Sequence, residues 1–494
     1  MYINALDLQN YEKEIYFGVR LLELLNDGKT HKKNDLAETV GLDSRSVQRL
    51  LEELSKNYRR FTETELPLFE RTGNQYRLLI ADQTMEQNQF LVDLIRHSLS
   101  YRILHLLIAG KARTIKELSE KLYRSESTIR RKVKNLRKEL TPLDIAIDRG
   151  EVLFRAPESV VRMYLSVYYW RLFRGKDWPF APLQHELVST ISTVIQQFFQ
   201  VSLNPIKRQR LEYLVAAHLL REVQKHSLEK HSDSQKALND DALFKEFYYQ
   251  IKPSMPTYFQ NEKAMGNLFL HLLTREEYYH VPAITEKIHQ LLSKAPFCVM
   301  TEVDAMYRQL EKKINDSATW KNFQALQAEN YLISGHLYHR LFPMIRFNIN
   351  GKAFWTNITK QQPQLVAFVT EILADQGGSE SILFGRYLSV LRRLPELTIH
   401  PVVRIFLQTD LPEFEETILK EDLRRFLAND FQVVFAESLE NCDLCLTTSL
   451  LIEEEIPTLA ITQELRMKDY FSLLQLLQGF GGKSLALCQI GLIE

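Results

Sequence analysis

Three histidines stand inside apolar helical stretches, each with an arginine a few residues on: His218 in EYLVAAHLLREV with Arg221, His271 in GNLFLHLLTREE with Arg275, and His336 in YLISGHLYHRLF with Arg340. A neutral imidazole can accept a phosphoryl group on a ring nitrogen, and a guanidinium can then hold the dianion through charge-assisted hydrogen bonds. The same pattern also suits histidines hydrogen-bonded between packed helices. A second chemistry sits in KARTIKELSEKLYRSESTIRRKVKNLRK, residues 111–138, where eleven Lys/Arg stand against three Glu. Such a concentration suits a polyanion. Cys442 and Cys445 spell CxxC, but no second CxxC or paired histidine lies nearby, so they read as structural. Gly377-Gly378 and residues 479–482 lack the Lys-Ser/Thr context of a phosphate loop, and there is no HExxH and no GxSxG. The sequence therefore predicts no catalytic residues, no metal centre and no cofactor.

The basic stretch needs two helices to present it. Thr114 and Glu117 have the spacing of a capping box. Leu118 and Leu122 share one face of the first helix; Tyr123-Arg124-Ser125 is the turn; Ser125 or Ser127 can cap the next helix, with Ile129, Val133 and Leu136 as its apolar stripe. That leaves Ser127, Thr128, Arg130, Arg131 and Lys134 to meet phosphates and base edges, as the second helix of a helix-turn-helix does in the major groove. An ordinary helical hairpin with a solvated basic face is the alternative.

The chain carries the design twice. NDLAETVGLDSRSVQRLLEELSKN, residues 34–57, has the same apolar pattern 82 residues earlier: Leu36 falls on Leu118, Val40 on Leu122, Val47 on Ile129, Leu51 on Val133 and Leu54 on Leu136. Gly41 supplies the positive φ of the turn, Asp43 or Ser44 the cap, and Ser44, Arg45, Ser46, Gln48 and Arg49 the exposed positions. A β-wing follows each copy, the first over residues 68–80 turning at Thr72-Gly73-Asn74, the second over residues 143–154 turning at Asp148-Arg149-Gly150. Residues 11–26 read as an amphipathic helix buried through Ile15, Val19, Leu22 and Leu25, and residues 85–109 as one or two helices.

Behind this front the chain is helical to about Pro395. Helices are expected over residues 162–173, 187–199, 211–225, 267–279, 306–314 and 323–342, with a polar loop over residues 225–241. The last hundred residues change period: strands at 402–408, 431–436, 444–448 and 456–462 alternate with helices at 411–427 and 467–477, the mark of a small α/β domain with a largely parallel sheet. The net charge of zero hides an asymmetry: residues 1–150 carry 26 Lys/Arg and 22 Asp/Glu, residues 396–494 carry 7 and 17. No apolar run of membrane-spanning length and no secretory leader are legible, and four cysteines are too few for a disulfide framework, so a cytoplasmic protein is expected.

Taken in order, these parts resemble the Mga/AtxA class of bacterial virulence and global regulators. The resemblance implies a mainly α, multidomain fold: winged helix-turn-helix units at 1–84 and 85–156, PRD-like helical domains at 157–284 and 285–396, and an EIIB-like α/β domain at 397–494. NEKAMGNLFLHLLTR is similar to the second histidine motif of a PRD, a regulatory domain of the sugar phosphotransferase system, and YLISGHLYHRLFPMIR to the first motif of a second PRD. His218, His271 and His336 then become regulatory phosphorylation sites. Tyr387, in ILFGRYLSVLRR, stands where a further histidine would fall, and the QTDLPEF loop lacks the cysteine of a catalytic EIIB. The implied protein is an activator that binds double-stranded DNA, forms a homodimer through its C-terminal domain, exchanges phosphate with the phosphocarrier HPr, meets RNA polymerase and has no membrane partner. Two rivals are a PRD-containing RNA antiterminator, which would carry a β-rich front, and a phosphotransferase-system component, which would need the missing cysteine.

Overall fold

A computed structural model describes residues 12–80, 85–148, 154–226, 228, 233–344, 362–394, 397, 402–428, 431–449 and 456–461, with scattered positions between 465 and 477. The chain divides into two compact units, residues 1–354 with 372–387, and residues 355–371 with 388–494.

The first unit opens with α1 (Lys13–Leu24), β1 (His31–Lys32), α2 (Lys33–Val40), α3 (Ser44–Thr62), β2 (Phe69–Thr72) and β3 (Gln75–Leu78). Gly41 at φ +71° ends α2 and the Asp43 carboxylate caps α3, accepting from Ser46 N at 2.8 Å. The wing pairs Phe69 with Leu78 and Thr72 with Gln75, and β1 joins it as a third strand on β3, an addition too short to show as a strand in the sequence. Residues 85–109 form two helices, α4 (Met85–His97) and α5 (Leu99–Ile108), because Ser98 in extended conformation caps α5. Then come α6 (Ile115–Leu122), α7 (Glu126–Leu140) and a short ribbon of β4 (Ala146–Ile147) with β5 (Phe154–Arg155); the turn expected at 148–150 lies mostly outside the described residues. Leu118, Leu122, Ile129, Val133 and Leu136 are all buried beneath α6 and α7. Each such burial contributes roughly 1.5–3 kcal/mol over leaving the side chain exposed.

Helices α8 (Glu158–Phe173), α9 (His185–Phe199), α10 (Pro205–Val223), α11 (Asp233–Asn239), α12 (Ala242–Ile251) and α13 (Glu262–Leu273) follow. The stretch expected as a polar loop contains α11, folded because Leu238 is fully buried. The helix expected at 267–279 instead begins at Glu262, where Asn261 caps it, and stops at Leu273 before a 3₁₀ turn over Glu276–Tyr278. Beyond are α14 (Pro282–Ser293), α15 (Val299–Ile314), α16 (Ser317–Ala325) and α17 (Glu329–Leu341). The single helix expected over 323–342 is two, broken where Gln327 takes φ +50°. Next are α18 (Pro363–Ile372) and α19 (Ile382–Leu391). One continuous apolar core runs from Val19 in α1 to Ile333 and Leu337 in α17.

The second unit takes in nearly all of α18 and holds β6 (Val402–Gln408), α20 (Glu413–Leu427), β7 (Gln432–Phe435), β8 (Leu444–Thr447) and β9 (Thr458–Ala460). Its sheet is parallel throughout, in the order β7-β6-β8-β9. Leu419, Leu423 and Leu427 of α20 pack with Val403, Ile405, Leu444 and Leu446. Cys445 is fully buried in β8, and the Cys442 thiol donates to Leu439 O at 3.2 Å, which are core and loop placements. The helix expected at 467–477 and the glycines at 479–482 fall partly or wholly outside the described residues.

Candidate nucleic-acid interface and buried histidine pairs

The second helix of each helix-turn-helix is positioned by its caps. Thr114 Oγ1 accepts from Glu117 N at 3.1 Å, and the Glu117 carboxylate reaches back to Arg113 N at 2.7 Å. Ser125 Oγ accepts from Thr128 N at 3.3 Å to open α7. Gly41 and Tyr123 both lie in the left-handed region, at φ +71° and +52°, so the turns are alike although the residues are not.

Arg45 and Arg49 of α3, and Ser127, Arg130, Arg131 and Lys134 of α7, are exposed. Arg130 pairs with Glu126 one turn back at 2.9 Å. The smaller polar residues are engaged within the protein. Ser44 Oγ donates to Asn34 at 2.9 Å, Ser46 Oγ to Asp43 at 2.6 Å, and Gln48 is held between Lys33 and Glu52 at 3.0 Å each. Ser127 and Thr128 share the Ser125 hydroxyl, at 3.0 and 2.9 Å. Arg137 turns away to donate to the wing at Ile147 O, 2.9 Å. Of the basic residues in 111–138 only Lys132 and Arg137 are half-buried, so the cationic surface covers the exposed face of α7 and extends over the turn at Arg124 onto α6.

The three histidines are fully buried. Helix packing brings His218 of α10 against His271 of α13, with Nε2 of the first 2.8 Å from Nδ1 of the second. The outer nitrogens, His218 Nδ1 and His271 Nε2, are buried without a hydrogen-bond partner. In either tautomer one ring donates across the shared bond, so one outer nitrogen bears a proton and the other a lone pair. Burial holds both imidazoles well below the usual histidine pKa, reinforced at His218 by His271 and at both by Arg162. The pair is neutral, and the ring of Phe342 lies edge-on to His271 at 4.7 Å.

His336 of α17 meets Tyr387 of α19 in the same manner, Nε2 to the phenol oxygen at 2.8 Å. Burial keeps the Tyr387 phenol protonated far above its usual range. With that phenol donating, the Nε2 lone pair is occupied and Nδ1–H faces the Glu302 carboxylate at 3.7 Å. Sequence reading reached all three histidines but not their pairing, because the partners lie about 50 residues apart on different helices.

The arginines expected to accompany the histidines are divided. Arg221 makes a bidentate pair with Glu158, at 2.8 and 2.7 Å, and Arg340 is held by Glu302 and Pro296 O. Arg275 has a buried Nη1 with no partner. Arg162 of α8, which the sequence analysis passed over, is fully buried: Nε donates to Glu158 at 3.2 Å, Nη2 to Glu222 at 2.7 Å and His226 O at 3.1 Å, and Nη1 has no partner. Its signal was present, an arginine four residues after a glutamate inside the apolar run ESVVRMYLSVYYW.

Residues 83–169, from just before α4 into α8, match the family described as the Mga helix-turn-helix domain. Within that span, α6 and α7 joined at Tyr123 and followed by the β4–β5 ribbon have the build of such a domain. The chain is also 24% identical over 144 residues to the capsule synthesis positive regulator AcpB of Bacillus anthracis, a match covering 29% of this chain and 30% of that protein. Both findings support a DNA-binding regulator. Among the described residues no helix is long and apolar enough to cross a membrane.

Proposed function

We propose that this protein is a global or virulence-type transcription regulator that grips double-stranded DNA with α3 and α7 and is tuned by phosphorylation of buried histidines and by dimerisation. The observation that carries the DNA reading is the exposure of Arg45, Arg49, Arg130, Arg131 and Lys134 on the second helices of two like-built units. On this reading Ser44, Ser46, Gln48, Ser127 and Thr128 shape the helix starts and contact DNA only where their present hydrogen bonds exchange. The five-domain division, with winged units to residue 156, PRD-like domains to 396 and an EIIB-like domain beyond, belongs to the same proposal.

Phosphate contacts dominate such binding and make it steeply salt-dependent, each contributing about 0.9 to the slope of log K against log salt. The test is the triple substitution R130A/R131A/K134A. All three side chains are exposed, so folding should survive. Duplex affinity should fall and the salt slope flatten by roughly two to three units. Unchanged affinity would remove α7 from the interface.

For regulation, the His218–His271 pair is better disposed than His336, because one of its outer nitrogens carries an uncommitted lone pair. A phosphoryl group from the phosphocarrier HPr would form a new N–P bond there as the donor's N–P bond breaks, the displaced ring proton passing to the donor imidazole. Full burial requires the Phe342 side to open first. Incubation with phosphorylated HPr and mass mapping tests this; absence of label on all three histidines would end it. Dimerisation through the C-terminal domain, and contact with RNA polymerase, complete the proposal.

A further inference from the structure

We infer that Arg162 is a built-in counter-charge for an anion on the His218–His271 pair, and that α8 carries its change of partners to the second helix-turn-helix. This rests on the regulatory reading above only for the source of the anion.

A fully buried guanidinium is costly unless every donor is used. Arg162 spends its Nε and Nη2 on Glu158, Glu222 and His226 O but leaves Nη1 unused. Its location makes that omission meaningful. Glu222, which Arg162 grips at 2.7 Å, stands four residues after His218 on α10, so the guanidinium sits one helical turn from the histidine pair. The outer nitrogens His218 Nδ1 and His271 Nε2 are likewise buried and unpartnered. The positive charge of Arg162 already bears on both rings, helping to hold them neutral. The rest of the network can spare it: Glu158 keeps its bidentate pair with Arg221. A phosphoryl group brings about −1.5 to −2 charges and three acceptor oxygens. That outbids a single carboxylate such as Glu222, and Arg162 has an idle donor to begin the exchange.

Helix α8 is built to pass the change on. Met163 and Val167 pack with Phe342, whose ring lies against His271. Further along the helix, the Tyr169 hydroxyl meets His105 Nδ1 of α5 at 2.9 Å. Helix α5 in turn packs on α7. From the end of α10, Gln224 donates to Ile108 O at 2.7 Å, a second tie to the same helix. An adjustment of α8 toward the pair therefore moves the support of the DNA-facing helix.

The test places a carboxylate at the pair without any phosphotransfer. Full-length H271E and the neutral control H271Q are prepared with Arg162 intact and in an R162M/E222Q background, which removes the counter-charge and its partner together. With Arg162, the melting temperature of H271E should lie close to that of H271Q; without it, the gap should widen by several degrees. Equal gaps overturn the counter-charge. Should the R162M/E222Q background fail to fold, a crystal structure of H271E decides: a guanidinium on the introduced carboxylate supports the inference, one still on Glu222 refutes it. Duplex-DNA Kd should differ roughly tenfold between H271E and H271Q only when Arg162 is present; identical values refute the relay through α8. Failure of HPr to label the wild-type protein would count against the phosphotransfer reading, and leave these outcomes to judge Arg162 by themselves.

Discussion

Tyr123 shows how a single side chain can occupy a position its chemistry disfavours. It holds φ +52° at the turn of the second helix-turn-helix and is 88% exposed. Its counterpart Gly41 meets the same demand without a Cβ. A left-handed conformation costs a non-glycine residue roughly 1–2 kcal/mol. Tyr123→Gly should therefore stabilise the protein by roughly 0.5–1 kcal/mol, after the added freedom of the unfolded chain is counted. Thermal unfolding checks this, and a destabilised variant would mean the exposed ring has packing value. A repeat was legible here because the apolar positions keep their offset; the turn departs in residue type yet converges in backbone geometry.

At the level of elements, α7 is tied to α1 by ionisable groups that no pattern announces. Glu12, at the start of α1, accepts from Ser100 N at 2.8 Å and pairs with Lys132 at 3.3 Å. Burial pushes the Glu139 carboxyl of α7 up to about 8; nearby Glu12 adds to this and Lys132 opposes it. The sign follows from the raised value. The unfolded chain releases this proton near pH 4.5 and the folded protein near pH 8, so the group's contribution is complete below 4.5 and is lost as pH rises to about 8. E139Q should raise the melting temperature at pH 8, with the gain shrinking toward pH 5. The His218–His271 pair has the opposite sign: both pKa values are lowered, so its contribution is present above about 6.5 and lost as pH falls below it. H218Q/H271Q should flatten the acid limb of the stability profile; an unchanged acid limb would mean other groups set it.

For the whole molecule, the proposed dimer is best sought on α20. Phe414 and Ile418 stand one turn apart on that helix and are 77% and 47% exposed. Two such side chains on the surface of a domain suit contact with another apolar face. F414D/I418D should lower the sedimentation mass from dimer to monomer while leaving the buried face of α20, through Leu419, Leu423 and Leu427, undisturbed. An unchanged dimer would move the interface elsewhere. A dimer bearing two DNA-contacting units per chain would cover a long site, and loss of the dimer should shorten the DNase footprint.

Local order was open to inspection in the linear chain. The caps at Asp43, Thr114 and Ser125, the buried stripe Ile129-Val133-Leu136 and the four parallel strands of the tail all follow from short-range periodicity and capping chemistry, which depend on neighbours within a turn or two. Boundaries were less legible where tertiary burial outweighed composition, as at Leu238 in α11 or the break at Gln327. The pairings of His218 with His271, of His336 with Tyr387 and of Arg162 with Glu222 were decided only by the packing of distant helices. Buried polar groups choose partners by proximity in space, and a helical period carries no record of which face of another helix will lie opposite.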